Sequence, residues 1–179
     1  MTGALPHDWF PRPLPECVEV GEGSWIYSAY AFLHSAARRP GAVRIGRGSG
    51  IYHGTFFELG PDARVEIGDF VALVGATIRT DRRVSIGDYT FVAHEVVIAD
   101  GPFARPPGGA PEPGPVGDEE IVIGENVWIG ARAVLLGGAR LGDDSVVGAA
   151  AVVDFQVPAG CVVAGNPARV VGPVRRART

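Results

Sequence analysis

IVIGENVWIGARAVLLGGARLGDDSVVGAAAVVDFQVPAGCVVAGNPARV, residues 121–170, decides how this chain is read. Ile123, Ile129, Leu135, Leu141, Val147 and Val153 follow one another at steps of six residues, and Gly124, Gly130, Gly142, Gly148 or Asp154 comes directly after most of them. A step of six fits neither the 3.6-residue turn of an α-helix nor the alternation of a hairpin strand, and a helix with so many glycines would be costly. It fits a parallel β-helix of very short strands. Each flat face sends one aliphatic residue inward, and a glycine or small residue lets the chain turn to the next face.

The same step runs upstream. Val20, Ile26 and Phe32 begin it faintly, and Ala36 to Ala42, with Pro40-Gly41, interrupts it. Ile45, Ile51 and Phe57 form the first clear coil, and a turn at Gly60-Pro61-Asp62 leads to the next. That coil holds Ile67 and Leu73, with a third face expected near Arg79, and Ile86, Val92 and Ile98 make another. Between Ile98 and Ile123 the step is broken, and GPFARPPGGAPEPGPVGDEE, residues 101–120, is extruded as a loop too rich in Pro and Gly to form an element of its own. The repeat is expected to end at Pro158-Ala159-Gly160, with the remainder capping the last coil against an exposed strand edge. The organisation read from this is a Pro-rich arm over 1–19, a β-helix domain over 20–170 with its loop at 101–120, and a basic tail over 171–179.

Composition bounds the function. The chain has 179 residues, enough for one domain, with 46% hydrophobic and 20% charged residues, so it can bury a sizeable core. A net charge of −4 offers no basic field for nucleic acid. Two cysteines, Cys17 and Cys161, are too few for a disulfide framework or a zinc cage. No apolar run reaches the length of a membrane span, and the amino terminus shows no basic-then-apolar signal, so a cytoplasmic location is expected. Neither a G-x-x-x-x-G-K loop nor a strand–G-x-G-x-x-G–helix is present.

IGENVWIGARAVLLGGARLGDDSVVGAAAVV followed by VPAGCVVAGNPARVV resembles the carboxyl half of the maltose, galactoside and xenobiotic O-acetyltransferases, members of the hexapeptide-repeat acyltransferase family. The resemblance is close over the last third of the chain and weaker, though periodic, from Ile45 onward. It implies a left-handed parallel β-helix with three faces per coil, a homotrimer, and transfer of an acyl group from acetyl-coenzyme A or another acyl-coenzyme A to a small-molecule acceptor. It also implies that Trp128 lies near the acceptor and that Gly130, Ala131 and Ala149 receive the pantetheine arm. Arg169, with Arg175, Arg176 and Arg178 beside it, is implied near the nucleotide phosphates.

Acyl transfer needs a base for the attacking hydroxyl or amine and a donor for the oxyanion. The family places its histidine base just before the VWIG coil, yet no histidine lies between Ile98 and Ile123 here. His7 falls in the arm, where solvation is expected, and His34 precedes the first break. His53 in IYHGTF and His94 in VAHEVV share a phase, each two residues after an inward aliphatic, with Gly75 at the matching place between them. Two rungs would put them about 10 Å apart. His94 is the first choice for the base and His53 the second. Glu95 is expected to point elsewhere, and Asp100 is a candidate to orient the imidazole or to meet the acceptor. No metal is implied by this set.

Two other functions compete. The missing histidine favours a non-catalytic binding or assembly protein that keeps the solenoid. VAHEVVIADG also resembles γ-class carbonic anhydrases, but Ala99 stands where their second histidine would be, and a catalytic zinc needs three protein ligands.

Overall fold

A computed structural model describes residues 5–100 and 120–175; the extruded segment from 101 to 119, and Arg176 and Arg178 of the tail, lie outside the described residues. Among the described residues nearly every element is a strand of two to five residues, the exception being a short 3₁₀ turn at Ala29–Phe32. The strands stack into three parallel sheets, one per face of a β-helix of about six coils.

The first face runs through Val18–Val20, Val43–Ile45, Arg64–Ile67, Arg83–Ile86, Ile121–Ile123, Arg140–Leu141 and Gln156–Val157. The second runs through Trp25–Ile26, Gly50–Ile51, Ala72–Leu73, Phe91–Val92, Trp128–Ile129, Val146–Val147 and Cys161–Ala164. The third comprises Phe56–Leu59, Thr77–Thr80, Val97–Ala99, Val134–Leu136 and Val152–Val153. Register follows the six-residue column: Val92 pairs with Ile129 and Ile129 with Val147, while Ile98 pairs with Leu135 and Leu135 with Val153. These inward residues are buried, and stacking like on like forms one continuous apolar core along the axis.

Two expectations are corrected in detail. The third-face residue of the second coil is Ile78, fully buried and paired with Phe57, whereas Arg79 points outward and pairs with Glu58. The corner Val74–Ala76 is one residue shorter than its neighbours, so the step from Leu73 is five. The repeat also does not stop at Pro158. Val157 and Val163 continue the first and second faces, paired with Leu141 and Val147. The cap comes only then: Arg169–Pro173 turns back antiparallel on Cys161–Ala164, covering the edge of the second face.

The corners work differently from the simple glycine rule. Gly130 has no left-handed backbone; it is required because a Cβ there would stand 2.7 Å from the Ala149 amide nitrogen of the next coil. The left-handed positions fall later in each corner, and seven are not glycine: Phe70, Tyr89, Asn126 and Asp144 at the first-to-second corner, and Glu95, Arg132 and Ala150 at the second-to-third. Such backbone costs about 1–2 kcal/mol per residue. Partners on adjacent coils offset part of it: Phe70 stacks on Tyr89 with centroids 5.2 Å apart, Asn126 Nδ2 donates to Asp144 Oδ1 at 2.6 Å, and Arg132 meets Glu95 at 2.6 Å.

At the amino end the third face lacks a strand. Phe32, from the 3₁₀ turn, takes that place and stacks almost parallel on Phe57, with centroids 4.6 Å apart. The arm is docked as well. The Asp8 carboxylate accepts from the Phe10 and Ala29 amides at 2.9 and 2.6 Å, and Phe10 packs on the core. His7 is exposed but held, stacked on Trp25 at 4.1 Å with Nε2 2.9 Å from the Ile26 carbonyl.

Candidate functional site

The second-to-third corner carries the residues singled out by phase, His53, Gly75 and His94, together with Ala131 and Ala149, which the resemblance pointed to. Gly75, His94, Ala131 and Ala149 occupy successive rungs. The Glu95 amide donates to the Gly75 carbonyl at 2.8 Å, the Arg132 amide to that of His94 at 2.9 Å, and the Ala150 amide to that of Ala131 at 2.9 Å. The His94 side chain is exposed, and its ring edge lies over Gly75: a Cβ on that glycine would be 3.7 Å from His94 Cδ2 and 3.4 Å from the His53 carbonyl oxygen. Gly75 thus leaves a notch between the two histidines. His53 itself is packed edge-on against Tyr27, with centroids 5.0 Å apart.

Beyond His94 the column is nearly bare. Ala131 and Ala149 present only methyl groups, Gly130 and Gly148 present none, and the next rung is Ala164-Gly165. The turn at Gly165–Ala168 is tied under this corner by Val152, whose amide donates to the Gly165 carbonyl and whose carbonyl accepts from Ala168. Arg169 follows at once, exposed, with Nη1 donating to the Ala168 carbonyl at 2.7 Å. The distance from His94 to that last rung is about 14 Å, three rung spacings. The surface is therefore a shallow track of small side chains with an imidazole at one end and a guanidinium at the other.

The acidic candidates go elsewhere. Glu95 pairs with Arg132, and the hydrogen bond and charge of that guanidinium hold its carboxyl below the usual range, so it stays ionised and is a poor base. Both partners are exposed, so the pair adds little stability. Asp100 sits at the third-to-first corner, not the corner of His94. One of its oxygens accepts from the Thr80 hydroxyl and the other from the Asp81 amide at 3.2 Å, so it ties the end of Val97–Ala99 to the preceding coil rather than orienting the imidazole. Trp128 stands on the outer side of the second face, 56% exposed and tilted against Phe91 at 4.8 Å. Among the described residues no three His, Cys, Asp or Glu groups stand together as a metal site, and Ala99 is buried.

One site was missed from the sequence. Trp9, Tyr27, Tyr30, Tyr52, His53 and Phe56 line a pocket of about 240 Å³ where the arm meets the first coils. The density of aromatic residues in HDWF, IYSAYAF and IYHGTFF was the available signal, but only the docking of the arm closes the wall.

Comparison with known proteins bears on the same segments. Residues 120–154 match the family model described as bacterial transferase hexapeptide (six repeats). Galactoside O-acetyltransferase of Escherichia coli K12 is 32% identical over 134 residues, covering 71% of this chain and 62% of that protein. The chain thus spans less than two thirds of that relative. Among solved structures, a variant of AntD, an N-acyltransferase from Bacillus cereus, in complex with dTDP and coenzyme A superposes with a TM-score of 0.68 at 19% identity, covering 90% of this chain and 86% of that one. A hexapeptide-repeat acetyltransferase of Vibrio cholerae complexed with acetyl-coenzyme A gives a TM-score of 0.52 at 20% identity, covering 91% and 71%. At such identities the structural likeness speaks for the fold alone. Repeat, register and relatives agree: the chain carries hexapeptide repeats on a left-handed parallel β-helix and is similar to the hexapeptide-repeat acyltransferases.

Proposed function

We propose that the protein is an acyltransferase that moves an acyl group, acetyl in the first instance, from coenzyme A to a hydroxyl or amine of a small-molecule acceptor. The observation that carries this reading is the small-residue track from His94 past Ala131 and Ala149 to Arg169. An extended pantetheine arm needs side chains that do not block it, and Gly130, Ala131 and Ala149 present at most a methyl group. The relatives support the reading by their own names: one is an O-acetyltransferase, and the solved neighbours hold coenzyme A or acetyl-coenzyme A.

In this scheme the thioester supplies the activated carbonyl. Arg169 would neutralise a phosphate at the far end of the track, and His94 would take the proton from the acceptor as it attacks. His53, across the Gly75 notch, is the second candidate base. Trp128 would offer an aromatic surface to the acceptor or to a second subunit. Asp100, engaged by Thr80, would meet the acceptor only from the third-to-first corner. Assembly as a homotrimer fits the exposed Trp25, Tyr27, Tyr52 and Trp128, with the half-buried Phe91 against Trp128, on or beside the second face, an apolar surface of the kind subunits cover.

Titration with coenzyme A in a calorimeter tests the reading. Binding is expected in the parent protein. Arg169→Ala should weaken it by about 1.5–3 kcal/mol through loss of a charge-assisted contact. Ala149→Leu, at an exposed position where surface changes alter stability by only about 0.5 kcal/mol, should block the track. Absence of binding in the parent would instead favour a non-catalytic hexapeptide-repeat binding or assembly protein. Binding undisturbed by Ala149→Leu would put the cofactor elsewhere.

A further inference from the structure

We propose that the aromatic pocket at the amino end is a binding site for a neutral, ring-shaped alcohol, whose apolar ring enters the pocket and whose hydroxyl stays at the rim beside His53. Three observations converge on that chemistry. The walls are Trp9, Tyr27, Tyr30, Tyr52 and Phe56, set steeply to one another: Tyr30 meets Phe56 at 74° and Trp9 meets Tyr30 at 41°. Such a box presents aromatic faces on several sides and suits the C–H edges of a single ring.

The polarity is one-sided. Ser28 and Thr55 also line the pocket, but both hydroxyls are engaged. Ser28 Oγ accepts from the Tyr30 amide at 3.1 Å; Thr55 Oγ1 donates to the Leu73 carbonyl and accepts from the Gly75 amide, each at 3.1 Å. That leaves the tyrosine hydroxyls and the His53 imidazole to meet a ligand. Among the described residues no Asp, Glu, Lys or Arg lines the pocket, so a formal charge would be desolvated without a partner. A volume of about 240 Å³ equals roughly eight waters, room for one six-membered ring with small substituents but not for a nucleotide.

The third observation is the fixation of Trp9. Residues on both sides of it are anchored, Asp8 to the Ala29 amide and Phe10 on the core, yet the indole is 66% exposed. The fold orders a large aromatic side chain and leaves its face toward a cavity open, which is the form of a ligand wall rather than of core packing. Binding rests on this pocket alone and does not require acyl transfer, so its failure and the failure of the acyltransferase reading are separate results.

The test is calorimetric and NMR titration of the full chain with 4-methylphenol, alongside methyl α-glucopyranoside, a ring with hydroxyls around its edge, and tetramethylammonium, a compact cation. Saturable binding of 4-methylphenol at millimolar concentration is expected, at least tenfold tighter than either control. Trp9→Phe should retain it and Trp9→Ala should weaken it at least tenfold. Should Trp9→Ala release the arm, Tyr27→Leu, which leaves the arm sequence intact, should weaken binding equally. Tighter binding of tetramethylammonium would make the site a cation cage and overturn the proposal. So would tighter binding of the glucoside, no saturable binding of 4-methylphenol, or affinity indifferent to both Trp9→Ala and Tyr27→Leu.

Discussion

Replacing Phe32 by alanine tests how this solenoid is closed at its amino end. Phe32 is 3% exposed and lies almost parallel on the fully buried Phe57, centroids 4.6 Å apart. Truncating a buried phenylalanine costs about 3–5 kcal/mol, which includes a ring-pair contribution of roughly 0.5–1.5. The site sits at an end of the third sheet, with a strand on one side only, so it can partly collapse, and the lower figure of about 3 kcal/mol is expected. In a stacked-repeat protein the loss should stay near the end where it is made. Two tryptophans report on the two regions: Trp25 in the first coil and Trp128 four rungs along the same face, about 19 Å away. Urea unfolding would be followed in backgrounds retaining only Trp25 or only Trp128. With Phe32→Ala, the Trp25 transition should lose about 3 kcal/mol and the Trp128 transition less than about 1. A shift below about 1 kcal/mol at Trp25 would refute the packing argument. Equal shifts at both probes would refute the local-closure argument, because the whole solenoid would then unfold as one unit.

His94→Ala is expected to lower acyl transfer by about two to four powers of ten with the oligomer intact, and His53→Ala to do much less; near-parental turnover in His94→Ala would remove it as the base. Asp8 carries a pH dependence. Burial pushes its carboxyl up, but the Phe10 and Ala29 amides and the Ser28 hydroxyl outweigh that and leave it below 3.8. A depressed carboxylate stabilises fully above the unfolded value and loses that contribution as pH falls through the folded one, so the arm should loosen below about pH 4. Trp9 emission, followed in a background lacking the other tryptophans, should change there, and Asp8→Asn should abolish the change; a flat trace in the parent would contradict it. Light scattering at micromolar concentration should give three copies, and Trp128→Asp should dissociate them; a parental monomer would reject an intersubunit site.

The fold was legible because a parallel solenoid writes its inward column into the chain at a fixed step, and Ile123 through Val153 keep that step without exception. Departures were hidden where a corner changes length. Val74–Ala76 is one residue short, which moved the third-face position from Arg79 to Ile78, and the four-residue step from Val153 to Val157 looked like the end of the repeat. The column of His53, Gly75 and His94 was legible from phase, and Ala131 and Ala149 came from the resemblance. Partners set by the stacking of coils were not: Glu95 finds Arg132 across 37 residues of sequence, and Asp100 finds Thr80 across 20. The aromatic pocket was out of reach because its wall belongs to an arm with no period at all.

Length varies in this chain chiefly at one corner. The connection of residues 33–42, the turn at Gly60-Pro61-Asp62 and the extruded segment after Asp100 all join the third face to the first. The other two corners keep their length, apart from the single deletion at Gly75, and are tied to the coils above and below by recurring backbone bonds such as Gly130 amide to Val147 carbonyl and Arg132 amide to His94 carbonyl. That edge therefore behaves as an insertion port. Gly138, at the same corner one coil after the extruded segment, has nothing within 4 Å of where a Cβ would stand. A peptide grafted there would be displayed at this corner, on a scaffold whose ladder it does not touch.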